Sequence, residues 1–170
     1  MSEDAVGIAV AQFAPTADTA ANLRTIADLT ARAAARGAEV VLFPEYASYF
    51  VDPFDPSLAA HAEDLDGPFA QTLREIARRH GVVVVAGLVE RGEGERVRNA
   101  VIAVDAEGLR AVSRKLHLYD AFGFLESDHI RPGDIAGPVT FTVDDVTVGM
   151  LTCYDLRFPE VAREHADAGV

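Results

Sequence analysis

With 170 residues, 49% of them apolar, the chain is long enough to bury one domain and too hydrophobic to be disordered. Its net charge of −12 argues against nonspecific binding to nucleic acid or to an anionic membrane surface, since neither phosphate neutralisation nor lipid attraction is open to it. The lone cysteine excludes an internal disulfide, the N-terminus lacks a basic segment ahead of an apolar one, and no apolar run is long enough to span a bilayer; the expectation is a soluble cytoplasmic protein with no membrane or nucleic-acid partner.

Residues 6–13 are an apolar run with small side chains, predicted as a buried strand. Residues 22–36 carry Leu23, Ile26, Leu29 and Ala33 at helical spacing and stop at Gly37. A second strand is predicted over 39–43, closed by Pro44, with an ordered loop rich in aromatics, Asp and Pro over 46–57. Pro68–His80 reads as a helix, with proline at its start and Gly81 just past its end. Residues 82–88 form a run dominated by valine, which suits a strand buried on both faces.

A turn at residues 92–95 predicts that Arg98–Val104 returns as a hairpin partner, and a strand over 109–115 follows the turn at 105–108. Residues 116–137 show no clear periodicity, and loops this long inside compact domains are usually functional. Val139–Val143 and residues 146–151 are expected to pair across Asp144 and Asp145, and residues 159–168 to form a helix. Helices between the first three strands imply an α/β layered protein with a mixed sheet, in one domain over 1–170. The last helix has no returning strand, so the chain is expected to be the N-terminal portion of a longer domain, incomplete at the C-terminus.

Of the fifteen basic side chains other than histidine, fourteen are arginine and one is Lys115. An ammonium is a compact point charge on a flexible stem, suited to tasks a guanidinium cannot do. Cys153 follows the predicted strand 146–151 and precedes a helix-like run. Free cysteine is most often inert packing. A sharp strand-to-helix corner, however, presents a side chain at the sheet's edge and aims the next backbone N–H, that of Tyr154, at the same space. Glu45 stands just past another apolar run among Phe43, Pro44, Tyr46, Tyr49 and Phe50; such burial would raise its pKa and suit it to act as base and then acid.

Lys115 ends a predicted strand, where the plain alternative is a surface lysine. Beside the thiol it would favour thiolate and steady an oxyanion. A thiol nucleophile, a carboxylate base and a cation are thus all present. The histidines show no metal-ligand spacing, and His117 reads as a hydrogen-bonded structural residue. Arg157, four residues past Cys153, is placed either to clamp a substrate carboxylate or to pair with Asp155, Glu160 or Glu126.

Four segments in order, residues 8–12, Leu42-Phe43-Pro44-Glu45, residues 114–120 and residues 153–160, resemble the nitrilase superfamily of carbon–nitrogen hydrolases. The resemblance covers nearly the whole chain. It implies an αββα sandwich of mixed sheets and a catalytic Glu45, Lys115 and Cys153, with Glu126 as the further glutamate that follows the lysine motif. It also implies no metal, no organic cofactor, and a homodimer or higher homo-oligomer at full length. Tyr154 and Asp155 after the cysteine lean toward the omega-amidase-like and carbamoylase-like branches rather than toward nitrilases proper.

The reaction so implied is hydrolysis of a small, possibly carboxylate-bearing amide through a thioester on Cys153, releasing ammonia and a carboxylic acid. In it Lys115 and the Tyr154 N–H hold the oxyanion, and Glu126 orients the amide nitrogen. N-carbamoyl or nitrile hydrolysis would use the same site. The rival readings are a binding or scaffold protein with a vestigial site and an inactive fragment.

Overall fold

The computed structural model describes residues 5–170. Its elements in chain order are β1 (Ile8–Val10), α1 (Thr19–Ala34), β2 (Val40–Leu42), α2 (Ser57–Ala60), α3 (Pro68–His80), β3 (Val83–Glu90), β4 (Arg98–Val104), β5 (Leu109–Arg114), β6 (Asp120–Ala121), β7 (Phe124–Leu125), β8 (Val139–Val143), β9 (Val146–Met150) and α4 (Pro159–Asp167). Strands β1 to β5 make one sheet in sequential order. The pairs β1–β2 and β2–β3 are parallel, while β3–β4 and β4–β5 are antiparallel. Parallel neighbours need crossovers, which α1 and α3 supply; antiparallel ones need only turns.

Local chemistry sets the helix limits. The Asp18 carboxylate accepts the Ala21 N–H at 2.9 Å and caps α1, which therefore starts ahead of its first large apolar residue. In α3, Pro68 occupies a first-turn position where a missing N–H costs nothing, and Gly81 closes the helix at a left-handed φ of 65°.

β3 is buried along its whole length, as the valine run predicts. Side chains two apart share a face. Val84, Ala86 and Leu88 pack with Ile26 of α1 and with Phe69, Leu73 and Ile76 of α3. Val83 and Val85 face the other way, onto Phe141 and Met150 of the β8–β9 hairpin. Val148 and Met150 thus point at the large sheet and Gly149 points away from it. There the His165 ring of α4 fills the space that a Cβ on Gly149 would need. The layers run helices, sheet, hairpin, helix, which is the αββα order of the nitrilase sandwich.

Two expectations change. The run 6–13 narrows to an edge strand in which Ile8 and Val10 are exposed and only Ala9 packs against the helix-side core. An apolar run carries no mark of whether one face or two will be covered. The segment 116–137 also holds more structure than expected: β6 and β7 pair, with Phe122 and Gly123 between them at positive φ, and a single 3₁₀ turn spans Glu126–Asp128. Two-residue strands are too short to leave a period in the sequence. Among the described residues, no helix is long and apolar enough to cross a membrane.

Candidate active site

Beyond β2 the chain crosses the edge of β3. The Phe43 N–H donates to Val85 O, the Gly87 N–H to Pro44 O, and the Ser48 N–H to Gly87 O. A Cβ on Gly87 would collide with the main chain of Glu45 and Tyr46, so glycine is what permits this close approach. Tyr46 takes a φ of 57°, a conformation a bulky residue holds only when its surroundings enforce it. From this turn the Glu45 side chain meets Asn99 at the start of β4 and Lys115 just past the end of β5.

Lys115 is buried, with its side chain 2% exposed, so the surface-lysine alternative is excluded. Its Nζ donates to Glu45 Oε1 at 3.0 Å and lies 3.0 Å and 2.9 Å from Glu126 Oε1 and Oε2. Burial, the largest single influence, pulls the ammonium's pKa down. The Glu45 charge and the hydrogen bonds and charge of Glu126 together outweigh it and leave Lys115 above its ordinary value.

Glu126 is saturated. Beyond Lys115 it accepts the Tyr46 hydroxyl at 2.8 Å and the Tyr119 N–H at 2.7 Å. Burial, then the Glu126 and Glu45 charges, push the Tyr46 phenol far above its usual range, so it serves only as a donor. With its side chain 3% exposed and both oxygens engaged, Glu126 has no free edge for an amide nitrogen. Its position fits holding Lys115 rather than orienting a substrate.

Glu45 differs. Its side chain is 25% exposed, and one oxygen, Oε1, takes both Lys115 and the Asn99 Nδ2, the latter at 2.6 Å. Of the apolar bulk expected around this carboxylate, Phe43 belongs to the helix-side core and Tyr49 and Phe50 to a separate cluster, while Tyr46 of that cluster stays close enough to feel the Glu45 charge.

Cys153 opens a 3₁₀ turn, Cys153–Arg157, between β9 and α4, at a φ of 51°. It is exposed, and its left-handed backbone is the strained corner the motif predicts. Burial of the sulfur first, then the Glu45 charge, raise the thiol's pKa, and Lys115 only partly offsets them. The Lys115 charge is already shared between two carboxylates. The Tyr154 N–H falls in the first turn of the 3₁₀ helix, where amides lack an intrahelical acceptor.

The elbow is tied to the lysine segment through Asp155, which is buried. It accepts the His117 N–H and bonds the His117 Nδ1, both at 2.8 Å, and accepts the Leu116 N–H at 3.3 Å. His117 also stacks on Phe158, which bears out its reading as a hydrogen-bonded structural residue. Asp155 and Glu126 are so engaged, and the ion pair that was one of the two alternatives for Arg157 does not form among the described residues. Arg157 is exposed and unpaired among the described residues.

Tyr46, Phe54, Phe124, Tyr119 and Tyr154 make successive ring contacts that link the Glu45 turn to the elbow. Tyr49 instead bonds Ser57 and stacks on His61, so it is packing. Asn99 and Phe124 were given no role in the sequence, and Asp155 was read there only as a possible partner of Arg157 and as part of the cysteine motif. Asn99 carried a signal, as a polar residue near the start of a strand that is almost wholly apolar beyond it. A hollow of about 520 Å³ between α3 and the β4–β5 turn holds no nucleophile, so converging charges rather than volume mark the site. Among the described residues, no His, Cys, Asp or Glu group is placed to hold a metal ion.

The chain belongs to the carbon–nitrogen hydrolase family, whose model matches residues 7–170. It is 40% identical over 165 residues to a protein of Mycobacterium tuberculosis named only as a hydrolase, covering 95% of this chain and 57% of that one. It is 34% identical over 163 residues to the deaminated glutathione amidase of Escherichia coli O157:H7, covering 95% and 62%. A cysteine-to-alanine mutant of the nitrilase-superfamily amidase of Nesterenkonia AN1 superposes with a TM-score of 0.82 at 29% identity, over 97% of this chain and 62% of that one. Another structure of that amidase shows covalent addition of the acetamide moiety of fluoroacetamide at its active-site cysteine. The chain thus spans about three-fifths of the length of these relatives.

Proposed function

We propose that the intact protein is a cytoplasmic amidase that hydrolyses the C–N bond of a small amide through a thioester on Cys153. The observation that carries this reading is the Lys115 ammonium held 3.0 Å from Glu45, with the Cys153 thiol under the influence of both charges. Glu45 takes the thiol proton as sulfur bonds to the carbonyl carbon, and the carbonyl electrons move onto oxygen. Lys115 and the Tyr154 N–H receive that oxyanion. Protonating Glu45 removes one of the two negative charges that hold Lys115, so the ammonium's charge is freed as the oxyanion forms. On collapse the C–N bond breaks, the nitrogen takes the proton from Glu45, and ammonia leaves. Water then attacks the thioester as Glu45 removes its proton. The C–S bond breaks, and the sulfur recovers that proton.

Arg157, exposed and unpaired among the described residues, supports an acyl group that ends in a carboxylate, as does the likeness to the deaminated glutathione amidase. The family resemblance adds a homodimer as the expected assembly. Ammonia release from short amides by the intact protein, with a Cys153 thioester trapped by mass spectrometry, tests the reading. Silence on amides, nitriles and N-carbamoyl compounds alike would leave a binding protein as the better account.

A further inference from the structure

The two glutamates that grip Lys115 are bonded very differently. Glu126 uses both oxygens, and each has a second donor besides the ammonium. Glu45 uses Oε1 for Lys115 and for Asn99, and its Oε2 has no hydrogen-bond partner among the described residues. We propose that Asn99 is a positioning residue: by sharing Glu45 Oε1 with Lys115 it fixes the carboxylate's rotation and leaves Oε2 as the single oxygen that takes and returns the proton. This rests on the reading of Glu45 as the base at Cys153.

Three observations carry it. Asn99 is 1% exposed, and its backbone O accepts the Lys115 N–H at 2.9 Å, so the amide is anchored to the strand that delivers the lysine. Its Nδ2 stands 2.6 Å from Glu45 Oε1 and 3.5 Å from Glu126 Oε1, so the amide bridges the two carboxylates. Its Oδ1 is buried with no partner among the described residues. The flipped amide would set Oδ1 against Glu45 Oε1, acceptor on acceptor, so the orientation is determined and an unpaired carbonyl is tolerated to keep the donor in place. Leucine of similar size at this position would remove that unpaired group, so packing alone does not call for asparagine.

The charged and titratable groups facing Glu45 are Lys115 past β5, Cys153 on the elbow, Glu126 on the 3₁₀ turn and Tyr46 on its own turn. Asn99→Leu removes a neutral donor from the ionised carboxylate and leaves those four in place. The expected result is a kcat lower by about tenfold or more, an unchanged KM, and an acid limb of the pH profile moved to higher pH, because the charged carboxylate has lost a donor. Asn99→Asp sets a second carboxylate against Oε1 and should move the limb further in the same direction.

The experiment follows ammonia release from butyramide and alkylation of Cys153 by iodoacetamide across pH, in the intact wild type and both variants, with thermal melts alongside. Alkylation reads the proton acceptor at Cys153 without amide turnover. If the wild type releases no ammonia, the amidase reading fails, while a shifted acid limb of alkylation in the variants still supports the role of Asn99. If folded variants keep both acid limbs and kcat at wild-type values, the role of Asn99 is overturned. If Asn99→Leu does not fold, Asn99→Asp, which keeps shape and polarity, decides by the same two readouts.

Discussion

The helix-covered side of the sheet and the cluster at the ends of β4 and β5 are held by opposite means. Around β3, some fifteen buried apolar side chains pack without any one pair being decisive, and the backbone there is regular. At the cluster, a few charged and polar groups meet at distances of 2.6–3.0 Å, on turns where Tyr46 and Cys153 both take left-handed φ values. Losing one contact in the first region lowers stability in proportion to the atoms removed. In the second it leaves a charge or a strained turn without its reason. The site's geometry is over-determined by the sheet beneath it, which is what allows it to be strained.

The sharpest break between the regions is Cys153→Ala. Amide hydrolysis should fall to background while the melting temperature barely moves, since the side chain is exposed and fills no core space. A large loss of stability would mean that the cysteine is packing after all. Next comes Lys115→Arg, expected to cost on the order of a hundredfold or more in kcat, because a planar fork cannot sit between two carboxylates as an ammonium does. Near-wild-type turnover there would remove the role given to Lys115. The reciprocal change, Leu73→Ala in the fully buried core, should lower unfolding free energy by about 2–5 kcal/mol in urea titrations. KM of the protein that remains folded should stay unchanged.

A smaller effect follows from titration. The folded pKa of Lys115 lies above its ordinary 10.5, so its stabilising contribution is complete below that pH and is lost as pH rises through the folded value. Cys153 is likewise raised above its ordinary 9.0, and a raised pKa works in the same direction. Urea titrations from about pH 8 to about pH 11 should show stability declining at the alkaline end. A flat profile would mean the ammonium adds nothing. Smallest of all, Arg157→Ala should change stability by less than about 0.5 kcal/mol, because the side chain is exposed and unpaired. Its effect should instead be a raised KM confined to carboxylate-bearing amides.

What was legible in the sequence was local. Pro68–His80 is the helix its proline and Gly81 predict, β3 and β4 pair across the predicted turn, and the corner at Cys153 lies between a strand and a helix. Glu45 and Lys115 were marked by the residues beside them and Glu126 by the family resemblance alone, and the structure brings them into one bonded cluster with Cys153 close by.

What only the tertiary structure decided is how those groups are held. Asn99 reaches Glu45 across 54 positions, Tyr46 reaches Glu126 across 80, and Asp155 reaches His117 across 38. The exposure of Val10, the lack of an Arg157 partner among the described residues and the upward shift of the Cys153 thiol belong to the same class. A motif records which groups a turn presents, because capping, periodicity and turn chemistry act over a few neighbouring residues. Which oxygen of a carboxylate stays free, and which charge is already shared, depends on partners that meet only when the strands are set side by side.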